Sequence, residues 1–263
     1  MRQRISPSEY ISRAAVALDE LHSRIAAAEP SSPLFVLPED CGAMRDVRAS
    51  SDEGAVKTAV SQSFFFAEHA GDHLAALARL LSGDRIILIA SWTAVRSLLE
   101  SSAWLLWLLD PDVDVAERLG RSLAIRKRGQ TEIGRLGTLF EKADLSEFGL
   151  DRIRTIDSAA VARGLRSANT PPVSEVIAEQ LGARREYALL SAVAHANPAL
   201  MLSLLYETDR DLGVARKFAR PELLVGWVRR ATEWFARAVW LWAKYRGLDL
   251  RPYLRRSGRP SGS

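Results

Sequence analysis

Cysteine is nearly absent from this chain. Cys41 is the only one, so no intramolecular disulfide can form, and a reducing cytoplasmic setting is expected. It sits in a proline-bearing, acidic-flanked stretch, LPEDCGAMRD, with no helix start evident beside it, and is not expected to act as a nucleophile. Lysine is scarce as well, with five lysines against 31 arginines. Together with the many alanines, that bias reads as GC-rich bacterial coding. A net charge of +4 therefore does not support a nucleic-acid partner. The chain lacks a glycine-rich phosphate loop, a nucleophile elbow, a Cys/His zinc pattern and the kinase motif set, and those absences exclude the enzyme classes most readable from sequence. No cofactor and no metal are expected. The stretch MRQRISPSEY is polar and lacks the apolar core of a signal peptide. Alternating strand patterns of useful length, repeats and low-complexity blocks are also missing.

What is present is helical periodicity almost throughout. Ser6-Pro7-Ser8-Glu9 is a capping box that opens a helix to about Ala28. Residues 30–51 read as a long loop whose LFVL patch docks on the bundle or adds a short strand, and Ser50-Ser51-Asp52-Glu53 caps a second helix to about Leu81. A central helix runs to Leu109 and ends at Asp110-Pro111-Asp112, with Asp112 as cap of a fourth helix to about Ala143. A more polar helix is expected over 146–167, and a short one in VSEVIAEQLG stops at Gly182. Arg184 to about Tyr206 reads as a second nearly all-apolar helix bent near Pro198, followed by a connector from Asp209 to Phe218. Arg220-Pro221-Glu222 starts the last helix, which ends at Gly247. The fold class is therefore all-α: one helical domain over 1–247, a bundle of about seven to nine helices around two nearly all-apolar central ones, then a basic, disordered tail over 248–263.

Arg96 and Glu100 stand in the middle of the run IILIASWTAVRSLLESSAWLLWLL, from Ile86 to Leu109. Four residues apart, they share one helical face and can pair. The run is long enough to span a bilayer, but two central charges cost roughly 2.5–3.5 kcal/mol each on insertion scales, and no second span of similar length exists. A buried helix is expected, with no membrane span. Ser97, Ser101 and Ser102 extend the polar stripe, so the pair is either a register-fixing ion pair or the floor of a polar site.

Further candidates lie elsewhere. His195, in LLSAVAHANPAL, has small neighbours and Ser191 one turn before it; it either bonds carbonyls freed by Pro198 or serves as a general acid or base. His69 and His73, in FFFAEHAGDHLAALARLL, have the i,i+4 spacing of a metal pair but not the His-Glu-x-x-His pattern of zinc helices. They read as histidines at the core edge, with His73 the more inward. Arg118, Arg121 and Arg128 align on roughly one face of the fourth helix and could meet phosphates, but the aromatics of a single-strand binder are missing there. The seven tryptophans fall on the central and last helices only, which suggests packing between them, extended across a homodimer two-fold.

The stretches RSLLESSAWLLWLLDPDVDVAERLGRSL and YALLSAVAHANPAL resemble uncharacterised all-helical proteins common in actinobacteria. That resemblance covers about residues 65–206 and matches Arg96, Glu100, Asp110-Pro111, Arg118, Arg121, Ser191 and His195, with no assigned activity implied. The bundle is also similar in outline to the HEPN superfamily, many of whose members are RNases in toxin and phage-defence systems. Their arginine, followed by histidine after four to six residues, has no counterpart here, which argues against nuclease activity.

The expected function is that of a non-enzymatic bundle, a homodimer, binding a protein partner or an anionic small ligand, in a bacterial stress or defence context. The alternative is a hydrolase or RNase-like enzyme in which Glu100 and His195 form the catalytic centre and Arg96, Arg118, Arg121 and Ser191 bind the ligand.

Overall fold

A computed structural model describes residues 37–50, 52–82, 87–139, 170–195, 197–199, 206–209, 214–217 and 221–249, with helical residues inside 151–162. The expected helix from Ser6 to Ala28, the residues before Leu37, most of the 146–167 segment and the tail from residue 250 lie outside them. Seven helices have defined bounds: α1 Gly42–Ala49, α2 Glu53–Ser82, α3 Leu88–Leu108, α4 Val115–Leu139, α5 Val173–Leu181, α6 Arg184–Ala194 and α7 Pro221–Arg246. The fold is an all-α bundle with one small hairpin.

The bundle is organised around α3. From Ile89 to Leu109 only Thr93 is exposed, because apolar residues occupy every side of this helix and α2, α5, α6 and α7 each cover a part of it. Leu98, Leu99, Leu105 and Leu108 are fully buried. Trp92 of α3 packs on Trp227 of α7 with ring centroids 5.6 Å apart, so the two tryptophan-rich helices do share a core. Trp240, by contrast, is exposed. Among the described residues no helix is long and apolar enough to cross a membrane.

Local signals set most boundaries. The Asp52 carboxylate accepts the Ala55 N–H at 2.8 Å and starts α2. Asp114, not the expected Asp112, caps α4, accepting the Glu117 N–H at 2.8 Å; Asp112 instead donates its own N–H to Asp110 in the corner. Two larger corrections concern the stretches read as irregular or as one long helix. Within the expected 30–51 loop, α1 forms with Cys41 as its N-cap, the buried thiol sulfur accepting the Met44 N–H at 3.4 Å. Gly42 lets this helix approach α7 closely, since a Cβ there would lie 3.0 Å from the Tyr245 ring.

The apolar stretch from Arg184 to Tyr206 is not one helix. It ends at Ala194, ahead of Asn197-Pro198, and Tyr206–Asp209 (β1) pairs antiparallel with Val214–Lys217 (β2), Tyr206 opposite Lys217. The expected connector from Asp209 to Phe218 thus contains a strand.

Candidate functional site

Helix α6 presents Tyr187 and Ser191, one turn apart, to the charged stripe of α3. Arg96 Nη2 lies 2.8 Å from Glu100 Oε1, and the Tyr187 hydroxyl donates to the same oxygen at 2.8 Å. Arg96 in turn donates to Tyr187 Oη at 3.3 Å and, through Nε, to Ser191 Oγ at 3.1 Å. Its guanidinium also lies over the Tyr187 ring, 5.5 Å from the centroid. Burial works against the Arg96 charge, but the Tyr187 and Glu100 oxygens outweigh it and hold its pKa above the ordinary arginine value. Arg96 and Glu100 therefore pair, as their i,i+4 spacing allows, and Ser191, a separate candidate, meets Arg96. Tyr187 was not among the candidates, although its spacing of four from Ser191 was a usable signal.

Glu100 also belongs to a second environment. Together with Phe65, Phe66, Glu68, His69, Asp72, Ser101 and Trp104 it lines a groove of about 410 Å³ between α2 and α3. Phe65 is 64% exposed on its rim. Phe66 stacks on Trp104 with centroids 6.5 Å apart, and Arg128 lies over the Trp104 ring at 5.1 Å, which is where the third arginine of the α4 row is used. Only Oε1 of Glu100 is engaged: among the described residues Oε2 has no hydrogen-bond partner.

A chain of polar contacts runs along the groove. Ser101 Oγ lies 2.9 Å from the Ser97 carbonyl and 2.6 Å from His69 Nδ1, and His69 Nε2 lies 3.3 Å from His73 Nε2. Ser101 has one hydroxyl proton. When it goes to the Ser97 carbonyl, as serines inside helices commonly arrange, His69 must donate from Nδ1 and its Nε2 carries the lone pair. Burial lowers the pKa of His73, His69 lowers it further, and Asp72 partly opposes both. His69 lines the groove and His73 stands next to it, and His73 is the more buried of the two, as the helical stripe indicated.

His195 is elsewhere. It is the exposed C-cap of α6, its N–H bonded to the Ser191 carbonyl at 2.9 Å, and the Asn197 N–H closes the turn onto the Ala192 carbonyl. Among the described residues no hydrogen bond or ion pair joins it to Glu100. The sequence placed His195 on a continuing helix, and the break at residue 194 removes it from that line.

Arg118 and Arg121 are engaged in holding the corner between α3 and α4. Arg118, 7% exposed, bonds Asp46 at 2.7 Å and the carbonyls of Asp110 and Val113. Arg121 donates to the Trp107 carbonyl, pairs with Glu117 at 2.9 Å and lies over the Trp107 ring at 4.9 Å. Neither lines the α2–α3 groove. No protein-family model, curated protein or solved structure matches this chain. Among the described residues no cluster of three His, Cys, Asp or Glu side chains is arranged around a metal position.

Proposed function

We propose that the protein is a non-enzymatic helical bundle that acts by binding, and that its ligand is a cation received in the α2–α3 groove. The observation that carries this reading is the Glu100 carboxylate itself: Arg96 and Tyr187 hold it through Oε1, among the described residues Oε2 has no hydrogen-bond partner, and the residue lines the groove together with Phe65, Phe66 and Trp104. Glu68 and Asp72 add negative charge to the same lining, which contains no lysine or arginine. A cation with an apolar body would cover the exposed Phe65 ring and set its charge against Glu100, a combination of apolar burial and cation–π attraction. The anionic ligand expected from the α4 arginines is not part of the proposal, because Arg118 and Arg121 already have carboxylate and carbonyl partners. The hydrolase reading is not carried forward either, since its proposed base, His195, is not bonded to Glu100.

The test compares 2-phenylethylammonium with 3-phenylpropionate, near-isosteres of opposite charge, titrated into metal-free full-length protein by calorimetry and by amide chemical shifts. The ammonium should bind, with shifts at residues 65–72 and 100–104, and the carboxylate should not. Glu100→Gln should weaken binding about tenfold, equivalent to about 1.4 kcal/mol, and Phe65→Ala should weaken it without touching the Arg96 network. Equal binding of both compounds, no binding of either, or shifts confined to other helices would overturn the reading.

A further inference from the structure

We propose that His69 and His73 form a two-imidazole site for a divalent metal ion of the zinc class at the edge of this groove. The inference rests on the preceding reading only for the sign of the charge the groove attracts; the metal ion is a second cation, held by the imidazoles and not by Glu100 and Phe65. Its first support is geometric. The two Nε2 atoms are 3.3 Å apart, one helical turn separating their backbones. Two nitrogens each about 2.0–2.1 Å from one tetrahedral Zn²⁺ lie about 3.3–3.4 Å from one another, so the nitrogen separation already matches; the rings stand edge to face with centroids 4.4 Å apart, and the side chains turn to aim both lone pairs at the ion.

The second support is the set of hydrogen bonds behind the ligands. A metal-binding imidazole needs a lone pair on the nitrogen facing the ion and a fixed donor contact on the other. His69 Nδ1 faces Ser101 Oγ at 2.6 Å, and Ser101 can in turn pass its proton to the Ser97 carbonyl at 2.9 Å. That relay orients the ring and leaves Nε2 bare. Without an ion, two facing Nε2 atoms must share one hydrogen; with an ion, both lone pairs point to the same centre.

The third support is charge. Glu68 and Asp72 line the groove beside His69 and add negative charge near a divalent ion, while the charge of Glu100 is already met by Arg96. No third side chain is arranged with the two imidazoles among the described residues, so the other coordination positions are open to water or to a donor atom of a ligand lying on Phe65 and Phe66. This is the arrangement of an ion that recruits a ligand rather than of a closed structural zinc site.

The experiment uses tag-free, chelator-treated full-length protein titrated with Zn²⁺ in competition with a chromophoric chelator, with Co²⁺ absorption reporting the coordination geometry. About one equivalent of Zn²⁺ should bind, and His69→Ala and His73→Ala should each abolish binding or weaken it at least tenfold. Ser101→Ala should weaken it about tenfold through the orienting bond alone. Phe65→Ala should leave Zn²⁺ affinity unchanged while weakening the ammonium probe, and His73→Ala should do the reverse, so the two readings fail separately. Absence of Zn²⁺ binding, or binding unaffected by both histidine variants, overturns the site. Should either variant fail to fold by circular dichroism, the wild-type imidazole ¹⁵N resonances decide: Zn²⁺ must shift both Nε2 signals, and a spectrum in which neither moves refutes the proposal.

Discussion

Arg118 offers the sharpest test of whether the arginine row of α4 holds the fold or serves a ligand, and the perturbation is Asp46→Ala. The Arg118 and Asp46 side chains are 8% and 13% exposed, and their N···O distance is 2.7 Å. The same Asp46 oxygen accepts the Tyr245 hydroxyl at 2.8 Å, and burial together with the Asp46 charge holds Tyr245 far above its ordinary ionisation range. Removing the carboxylate leaves a guanidinium in a largely dry site with two carbonyl partners and no counter-charge, and it also leaves a buried phenol without its acceptor. Breaking a buried pair in this way costs about 3–5 kcal/mol, whereas replacing both members by apolar residues is often neutral. For a domain of this size, each kcal/mol moves Tm by roughly 2–4 °C, so Asp46→Ala should lower Tm by about 6–20 °C.

The assay is urea unfolding followed by far-ultraviolet circular dichroism, with calorimetry for Tm. The double variant Arg118→Met with Asp46→Leu should recover most of the loss, because it removes the orphaned charge with the pair. A cost below about 1 kcal/mol for Asp46→Ala would refute the reasoning, since it would mean that Arg118 reaches solvent or another anion. A double variant no better than the single one would refute it too, by placing the loss in packing rather than charge.

Three further outcomes follow from particular contacts. Tyr187→Phe removes the hydroxyl shared by Glu100 and Arg96; with that pair 23% and 28% exposed, the loss should be about 1–2 kcal/mol by urea unfolding, and a change within error would show the network to be inert. Gly247→Ala places a side chain at φ +73°, with its Cβ 2.9 Å from Cys41 Cβ and 3.0 Å from Pro38 Cγ, so it should cost at least about 1–3 kcal/mol in the same measurement; an unchanged midpoint would show that the α1–α7 junction can open without penalty. For metal-free protein, the lowered pKa of His73 means that the unfolded chain binds its proton first. Stability is therefore full above the ordinary value of 6.5 and falls as pH drops from there through the folded-state pKa. His73→Gln should flatten that slope, and a slope unchanged in the variant would assign it to other groups.

The elements that were legible in sequence are those whose boundaries are written in local chemistry. The run from Ile86 to Leu109, uncharged but for Arg96 and Glu100, identified the central helix, because a helix apolar on nearly every side has to be surrounded. Asp52 and Asp110-Pro111 marked a start and a stop through capping and the loss of an N–H. The hairpin was not legible: YETD and VARK are four-residue strands that are mostly polar or charged, so their pairing leaves no alternating apolar signature. Nor was α1, whose eight residues follow a cysteine, an uncommon cap. The site divides in the same way. Arg96 with Glu100, and His69 with His73, are within-helix relations fixed by the 3.6-residue period. Pairing Glu100 with Tyr187, or Ser101 with His69, depends on how α2 and α6 pack against α3, and one sequence does not encode those angles in any local pattern.

The two roles of Glu100 bear on how the groove could have been built. Its Oε1 is fixed by Arg96 and Tyr187, and these contacts tie α3 to α6; the same residue lines a groove made by α3 and α2. A carboxylate on a mobile side chain would have to lose rotamer freedom on meeting a cation, about 0.5–1.5 kcal/mol for a side chain of this kind. Held by its neighbours, Glu100 has lost that freedom in folding, so the cost falls on stability rather than on affinity. Phe65 and Glu68 stand on the exposed rim, and changing them should alter what the groove accepts while the bundle keeps its stability. Changing Arg96 or Tyr187 should do both at once, because the groups that hold the carboxylate ready are also a contact between two helices.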